Sequence, residues 1–265
     1  MMKFSNIQAK NIQVGVGTFI DESATIRGLN GEAEHVRIGD HSYIGANVQI
    51  ICDDFELGDY CKIHHDTNIH GYNPCHIGHN AWIGQFCIID SIGGVQIGNN
   101  CGVGAGSQLW SHIKFGDKLE GNRFNSDQKL VVGNDVWFVG HCIVSPIIAA
   151  DKSMAMVGSV VTRNMEQNRV YAGVPAKDIT EKVGPQFEET SLEQKLKLME
   201  KYLNDFGGDV DEIKIVADVP LFPTDNVSYF AVATREYTKT NSEMEVEFMK
   251  FLLPEKAKFV PAVSS

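Results

Sequence analysis

Positive charge is scarce in this 265-residue chain: 23 Lys and Arg stand against 34 Asp and Glu, a formal net charge of −11. That balance excludes broad electrostatic attraction to nucleic acid or to an anionic membrane, and an anionic ligand would need a local basic pocket. Long apolar runs are missing as well, and none approaches the ~18 residues of a membrane-spanning helix. The opening MMKFSNIQAK has no apolar core, so no secretory leader is expected. The six cysteines form no CxxC pair, which argues for a reducing compartment rather than a disulfide framework and makes the cytoplasm the expected location. Histidine does not occur beyond position 141. What remains, 43% hydrophobic and 22% charged residues, is the composition of an ordinary soluble globule of one large domain, or of one domain with an appendage.

What the chain has in quantity is a repeat. Aliphatic residues fall as Val14, Ile20, Ile26; Ile38, Ile44, Ile50; Leu57, Ile63, Ile69; Ile77, Ile83, Ile89; Ile97, Val103, Leu109; and Val132, Phe138, Val144, where an aromatic takes the middle slot. Within each triplet the spacing is six, and the triplet starts advance by 24, 19, 20, 20 and 35. Three hexads closing on themselves make a triangular coil with one short strand per side, and stacked coils bury a continuous aliphatic column. Glycine follows the aliphatic residue at 39, 45, 58, 78, 84, 98, 104 and 133, as a tight corner would favour.

Four residues after each aliphatic, the repeat calls for something small pointing inward. Cys61, Cys87, Cys101 and Cys142 sit there, beside Thr67, Ala81 and Ser107, and read as buried small hydrophobes rather than reactive thiols. Cys52 and Cys75 lie off this register. The step from Ile97 to Val132 is 35 rather than about 20, so roughly fifteen surplus residues leave the helix at one corner. Their text, KFGDKLEGNRFNSDQ, is that of an exposed loop. It departs directly after His112.

Residues 131–179 carry VYAGVPAK, with GSVVT upstream and NDVW near the start. This text, with the repeat, resembles the hexapeptide-repeat acyltransferases over about residues 1–180. The likeness is greatest to the galactoside, maltose and xenobiotic acetyltransferases and to the sugar and polysaccharide O-acetyltransferases. The fold so implied is mainly β, a left-handed parallel β-helix with an extended loop. The resemblance also implies a homotrimer, with acetyl-CoA threading a groove between adjacent subunits. The family's catalytic histidine lies where a long loop leaves the helix, in text like YTHSH, and LWSHIK puts His112 at that position. Backbone groups at the GSVV turn hold the pantetheine arm, a role that maps to Gly158 and Ser159. The PAK lysine near the CoA phosphates is Lys177, and the tryptophan beside the donor is Trp137. Two departures stand out: FVGH where IGAN is usual, and SPIIAADKSMAMVGS in place of a glycine-rich run. Together they predict a distorted last coil around Ser159.

Acetyl transfer to a hydroxyl or amine needs a base to take the acceptor's proton as it attacks the thioester. Imidazole suits that task near neutral pH, and backbone N–H groups would stabilise the oxyanion. His112 is the expected base, with no bound metal, and a sugar or glycan-precursor hydroxyl is the expected acceptor ahead of an amine. No orienting partner for its second ring nitrogen is named by the sequence. His141, three residues after Phe138, is the other candidate. Lys152, Arg163, Lys177 and Lys182 gather positive charge near the end of the helix, as a CoA phosphate site would want.

Two alternatives stay open. Seven histidines crowd positions 35–79, and His65 and His70, with His41 as a third, resemble the paired zinc ligands of γ-class carbonic anhydrases. A non-catalytic β-helical binding or scaffold protein would carry the same repeat.

The hexads end by about Pro185, which divides the chain into a β-helical domain at 1–184 and a small α/β module at 185–265. TSLEQKLKLMEKYLNDFGG reads as an amphipathic helix, with Ser191 and Gln194 as a capping box and glycines at its end. Ile213, Ile215, Ala217 and Val219 alternate as a strand, as do Phe230, Val232 and Thr234. NSEMEVEFMKFLLP reads as a second helix and AKFVP as a last strand. The module has no phosphate loop, metal spacing or nucleophile of recognisable pattern, and capping or assembly is its expected role.

Overall fold

Side chains alternate across a strand, so a two-residue strand can put one residue inside and one outside. Tyr43–Ile44, Lys62–Ile63 and Trp82–Ile83 do this, with the isoleucine wholly buried each time. The computed structural model describes residues 6–207 and 210–262. They divide into two compact units, Met1–Phe187 and Glu188–Ser265.

In the first unit each coil contributes one strand to each of three faces, and the strands of successive coils pair in parallel. The first face runs through Ala33–Ile38, Asp54–Leu57, Cys75–Ile77, Val95–Ile97 and Leu130–Val132. The second runs through Tyr43–Ile44, Lys62–Ile63, Trp82–Ile83, Gly102–Val103 and Trp137–Phe138. The third runs through Gln49–Cys52, Asn68–Gly71, Ile88–Asp90, Gln108–Leu109 and Ile143–Val144. The hexad aliphatics from Ile26 onward are buried and form one continuous cluster. A further coil, with Ala149, Ala155 and Val161 at the inward positions, closes it. Its alanines hide it from an aliphatic count, and Ala155 lies in register with the bulky Phe138, small against large. The distortion expected there is not found: Val132 to Ala149, Phe138 to Ala155 and Val144 to Val161 advance by one and the same step.

The corner glycines are explained by space rather than by backbone twist. The left-handed backbone falls two residues later, on His41, Asn47, Tyr60, Asn80, Phe86 and Asn100, among others. What the glycine after the first-face aliphatic does is make room. A Cβ on Gly39 would drive into the Asp59 carboxylate, and one on Gly133 into that of Asp151. Those side chains cap the backbone of the coil before: Asp40 Oδ1 accepts from Val16 N, Asp59 Oδ1 from Asp40 N, His79 Nδ1 from Asp59 N, Asn99 Oδ1 from His79 N, Asn134 Oδ1 from Asn99 N and Asp151 Oδ1 from Asn134 N, all at 2.7–2.9 Å. The inward small slots form two further chains. Ser42 Oγ donates to Gly58 O and accepts from Cys61 N, while Cys61 Sγ donates to Gly78 O. At the next corner Thr67 donates to Gly84 O and Cys87 to Gly104 O. The slot therefore favours a small side chain that can also donate a hydrogen bond, which serine, threonine and cysteine all satisfy.

VYAGVPAK forms a hairpin, Val170–Ala172 against Lys177–Asp178, that continues the second face and turns antiparallel at its end. An antiparallel cap of this kind covers an open sheet edge. A short helix α1, Thr180–Val183, follows.

In the second unit, helix α2 (Leu192–Phe206) starts at the Ser191/Gln194 capping box and ends on Gly207 in left-handed geometry; Gly208 lies outside the described residues. Strands Ile213–Val216, Ser228–Ala231, Glu236–Tyr237 and Val260–Pro261 form one mixed sheet in that order. Helix α3 spans Glu243–Leu252. The pair Glu236–Tyr237, too short to alternate, was not legible in the sequence. Phe230 packs against Tyr237, Phe248 and Phe259. Glu245, wholly buried, accepts from Ser228 Oγ, Thr240 Oγ1 and Asn241 N, fixing the entry to α3.

Substituting Gly39→Ala is expected to lower stability by about 1–3 kcal/mol, the cost of forcing a methyl into a packed, strain-free site. Urea unfolding should show a reduced midpoint with an unchanged slope.

Candidate functional site

The ladder of the third face reaches Trp110, whose N–H still donates to Val144 O. Ser111 then leaves it, and the chain returns only at Leu130, whose N–H donates to Gly94 O. The excursion is gathered at its neck by a reciprocal backbone pair, Ile113 with Ser126, and by an ion pair of Lys114 with Asp127 at 2.6 Å. Beyond the neck it is exposed, and it carries Phe115, Leu119 and Phe124 in solvent.

At the root of this loop lies an arrangement the sequence did not name. His112 Nδ1 is 2.8 Å from Oδ1 of Asp90, on the strand Ile88–Asp90 one coil earlier. Asp90 is completely buried. A carboxylate only accepts hydrogen bonds, so the imidazole donates from Nδ1 and leaves the Nε2 lone pair for chemistry. Ser111 donates to the same oxygen from its hydroxyl, at 2.9 Å, and from its N–H, at 3.2 Å. The Ser111 hydroxyl in turn accepts from Gly93 N at 2.8 Å. Gly93 has no room for a Cβ, which would meet the Ser111 carbonyl. The His112 side chain keeps 18% of its surface exposed, and its ring lies edge-on to Trp110 at 6.2 Å. A histidine held through one nitrogen by a buried acid, with the other nitrogen open, is the geometry of a general base.

The remaining predicted residues lie elsewhere on the coil. Trp137 projects outward from the second face, half exposed, with its indole over Gly102. Gly158 and Ser159 form the turn between the strands Met154–Ala155 and Val160–Val161. Gly158 has a positive φ and donates to Gly140 O. Ser159 occupies an inward slot: its side chain is buried and donates to Met156 O. Its backbone is enclosed as well, with the N–H donating to Met156 O and the carbonyl accepting from Ile143 N, so of the two turn residues expected to face a ligand only Gly158 is exposed. Lys177 is exposed on the capping hairpin. Among the other basic residues, Lys152 lies over the ring of Phe187.

His141 stands at a corner with φ of 49° and packs against Gly106. The histidine-rich stretch is spread over corners and faces. His41 stacks on Tyr60, and His64 is packed between the rings of Tyr43 and Trp82, where burial lowers its imidazole pKa. His65 Nδ1 binds Asp66, and His70 Nδ1 lies 2.8 Å from Asn68 Oδ1. Within the chain, the described residues hold no cluster of three ligating side chains.

All six cysteines are free and buried, Cys52 and Cys75 included. Burial pushes the Cys61 thiol up to about 12 and that of Cys87 to about 11, the reverse of what a nucleophile needs.

Residues 35–64 and 74–109 match the family model described as hexapeptide repeat of succinyl-transferase. The galactoside O-acetyltransferase of Escherichia coli K12 is 38% identical over 53 residues, covering 20% of this chain and 26% of that protein. The chain thus matches about a quarter of the length of this curated relative. Among solved structures, the N-acyltransferase AntD from Bacillus cereus, in complex with dTDP and 3-hydroxybutyryl-CoA, is similar at 15% identity, with coverage of 78% and 96% and a TM-score of 0.43. A maltose O-acetyltransferase from Clostridium difficile 630 is similar at 20% identity, with coverage of 57% and 70% and a TM-score of 0.37.

Because an unfolded chain lets the Cys61 and Cys87 thiols ionise near 9, while the folded one holds them neutral, their contribution is complete below about pH 9. It is lost as pH climbs toward their folded values. Denaturant unfolding at pH 8 and pH 10 should show a loss of roughly 1 kcal/mol per thiol, smaller in Cys61→Ala.

Proposed function

We propose that this hexapeptide-repeat chain is an acetyl-CoA-dependent acetyltransferase acting on a hydroxyl of a sugar or glycan precursor. The observation that carries the reading is the Asp90–His112 pair at the root of the long loop. His112 Nε2 takes the proton of the acceptor hydroxyl as its oxygen attacks the thioester carbonyl. The C–S bond then breaks, and the same proton passes to the departing thiolate, giving CoA and the acetyl ester. Asp90 is a positioning residue that fixes the tautomer and stabilises the imidazolium while it lasts.

The family resemblance supplies the rest of the reading. The coil is left-handed, the active form is a cytoplasmic homotrimer, and the donor lies between subunits. There Trp137 lines the site, the backbone at Gly158 meets the pantetheine with the buried Ser159 holding the turn, and Lys177 meets the CoA phosphates. A hydroxyl acceptor is preferred to an amine because the similar galactoside enzyme is named an O-acetyltransferase.

A screen of acetyl-CoA consumption over sugars, nucleotide sugars and glycans tests the activity. His112→Ala should reduce kcat by about 10²–10⁴-fold; transfer within a few-fold of wild type would remove the assignment. Lys177→Ala should raise the KM for acetyl-CoA more than that for the acceptor, and an equal change in both would count against its placement.

A further inference from the structure

Asp90 lies between two imidazoles, and its oxygens are treated differently. Oδ1 takes His112 and both donors of Ser111. Oδ2, equally buried, makes no hydrogen bond among the described residues. It faces His70, which lies directly across the ladder on the strand Asn68–Gly71, with Nε2 at 3.8 Å. That gap is too long for a hydrogen bond. It is too short for a bridging water, which needs about 4.5 Å between the atoms it joins. The ring is anchored at its far end, where Nδ1 is 2.8 Å from Asn68 Oδ1 and Asn68 Nδ2 donates to Gln49 Oε1. Asn68 therefore holds the imidazole with its second nitrogen aimed at the bare oxygen. The His70 side chain is 39% exposed while that of Asp90 is not exposed at all, so His70 stands between the buried acid and solvent.

We propose that His70 is a second positioning residue of this site. Asn68 Oδ1 can only accept, so Nδ1 carries one proton; as the imidazolium, with a second proton on Nε2, the ring closes onto Asp90 Oδ2 and stops the carboxylate from turning about its terminal bond, a torsion with broad, shallow preferences. Oδ1 is thereby kept on His112. The inference rests on the reading of His112 as the base.

The test uses the full chain, acetyl-CoA and the sugar acetylated in the screen above, with three substitutions at position 70. His70→Ala should lower kcat about tenfold, the loss of one charge-assisted hydrogen bond, with the KM for acetyl-CoA unchanged. Gln carries its amide nitrogen at about the reach of Nε2, and Asn at about that of Nδ1. His70→Gln should therefore recover most of the rate and His70→Asn should not. Without any substrate, ¹⁵N spectra of labelled histidine should show the His112 Nδ1–H signal perturbed in His70→Ala and restored in His70→Gln.

A kcat for His70→Ala within about twofold of wild type, with an unchanged His112 signal, overturns the proposal. So does a rise in the acceptor's KM alone, which would make His70 an acceptor contact. Equal losses in all three variants with a lowered unfolding temperature would make it a packing residue. A wild-type protein that acetylates none of the sugars would remove the reading of His112 as base, and the imidazole spectra would still decide whether His70 holds Asp90.

Discussion

Every strand of the coil depends on the coil before and after it for its hydrogen bonds, and the corners depend on the same neighbours through side chains. From Asp40 to Asp151 one side chain per coil accepts from the backbone of the preceding coil, and at Asp40, Asp59, Asn99, Asn134 and Asp151 a glycine of that coil leaves the side chain room. Serine, threonine and cysteine in the inward slots bond to corner carbonyls in parallel. The stack is held in register by these chains as much as by its aliphatic column, since a slip by one residue would break all of them together.

That rigidity is what allows a buried carboxylate at the site. Asp90 stays ordered because its backbone pairs with His70 below and because Ser111 above saturates one of its oxygens. An acid so enclosed can orient a histidine without competition from water, which is the preorganisation that proton transfer requires. The loop begins where the histidine sits, so the open ring nitrogen lies at its root, while Trp137 and Lys177 belong to the second face and its hairpin.

Much of this was legible in the residues. Six-residue spacing of Ile, Leu and Val gave the coils, their register and the corner from which the loop departs. The excess of residues between Ile97 and Val132 gave His112 its place. The last coil was missed as a triplet because alanine carries no aliphatic signal, although it packs as one. Asp90 was missed because an acid after an isoleucine looks like any polar residue at a turn. One signal could have found it: Asp90 is paired in the ladder with His70 and sits one coil before Trp110. A side chain so placed lies directly beneath the departing chain. The roles of the corner glycines and of the thiols needed coordinates, because both depend on what the next coil puts opposite them.

Two of the three corners keep the same length in every coil, because the capping chains and the left-handed residues His41, Tyr60 and Asn80 or Asn47, Asp66 and Phe86 leave no slack there. All variation in the length of a turn of the solenoid falls at the remaining corner, the one from which the long excursion springs. Heritable insertions and deletions are thereby channelled to a single edge of the molecule, beside His112. A lineage built on this scaffold can rewrite what approaches that histidine while the stacked turns beneath it stay as they are.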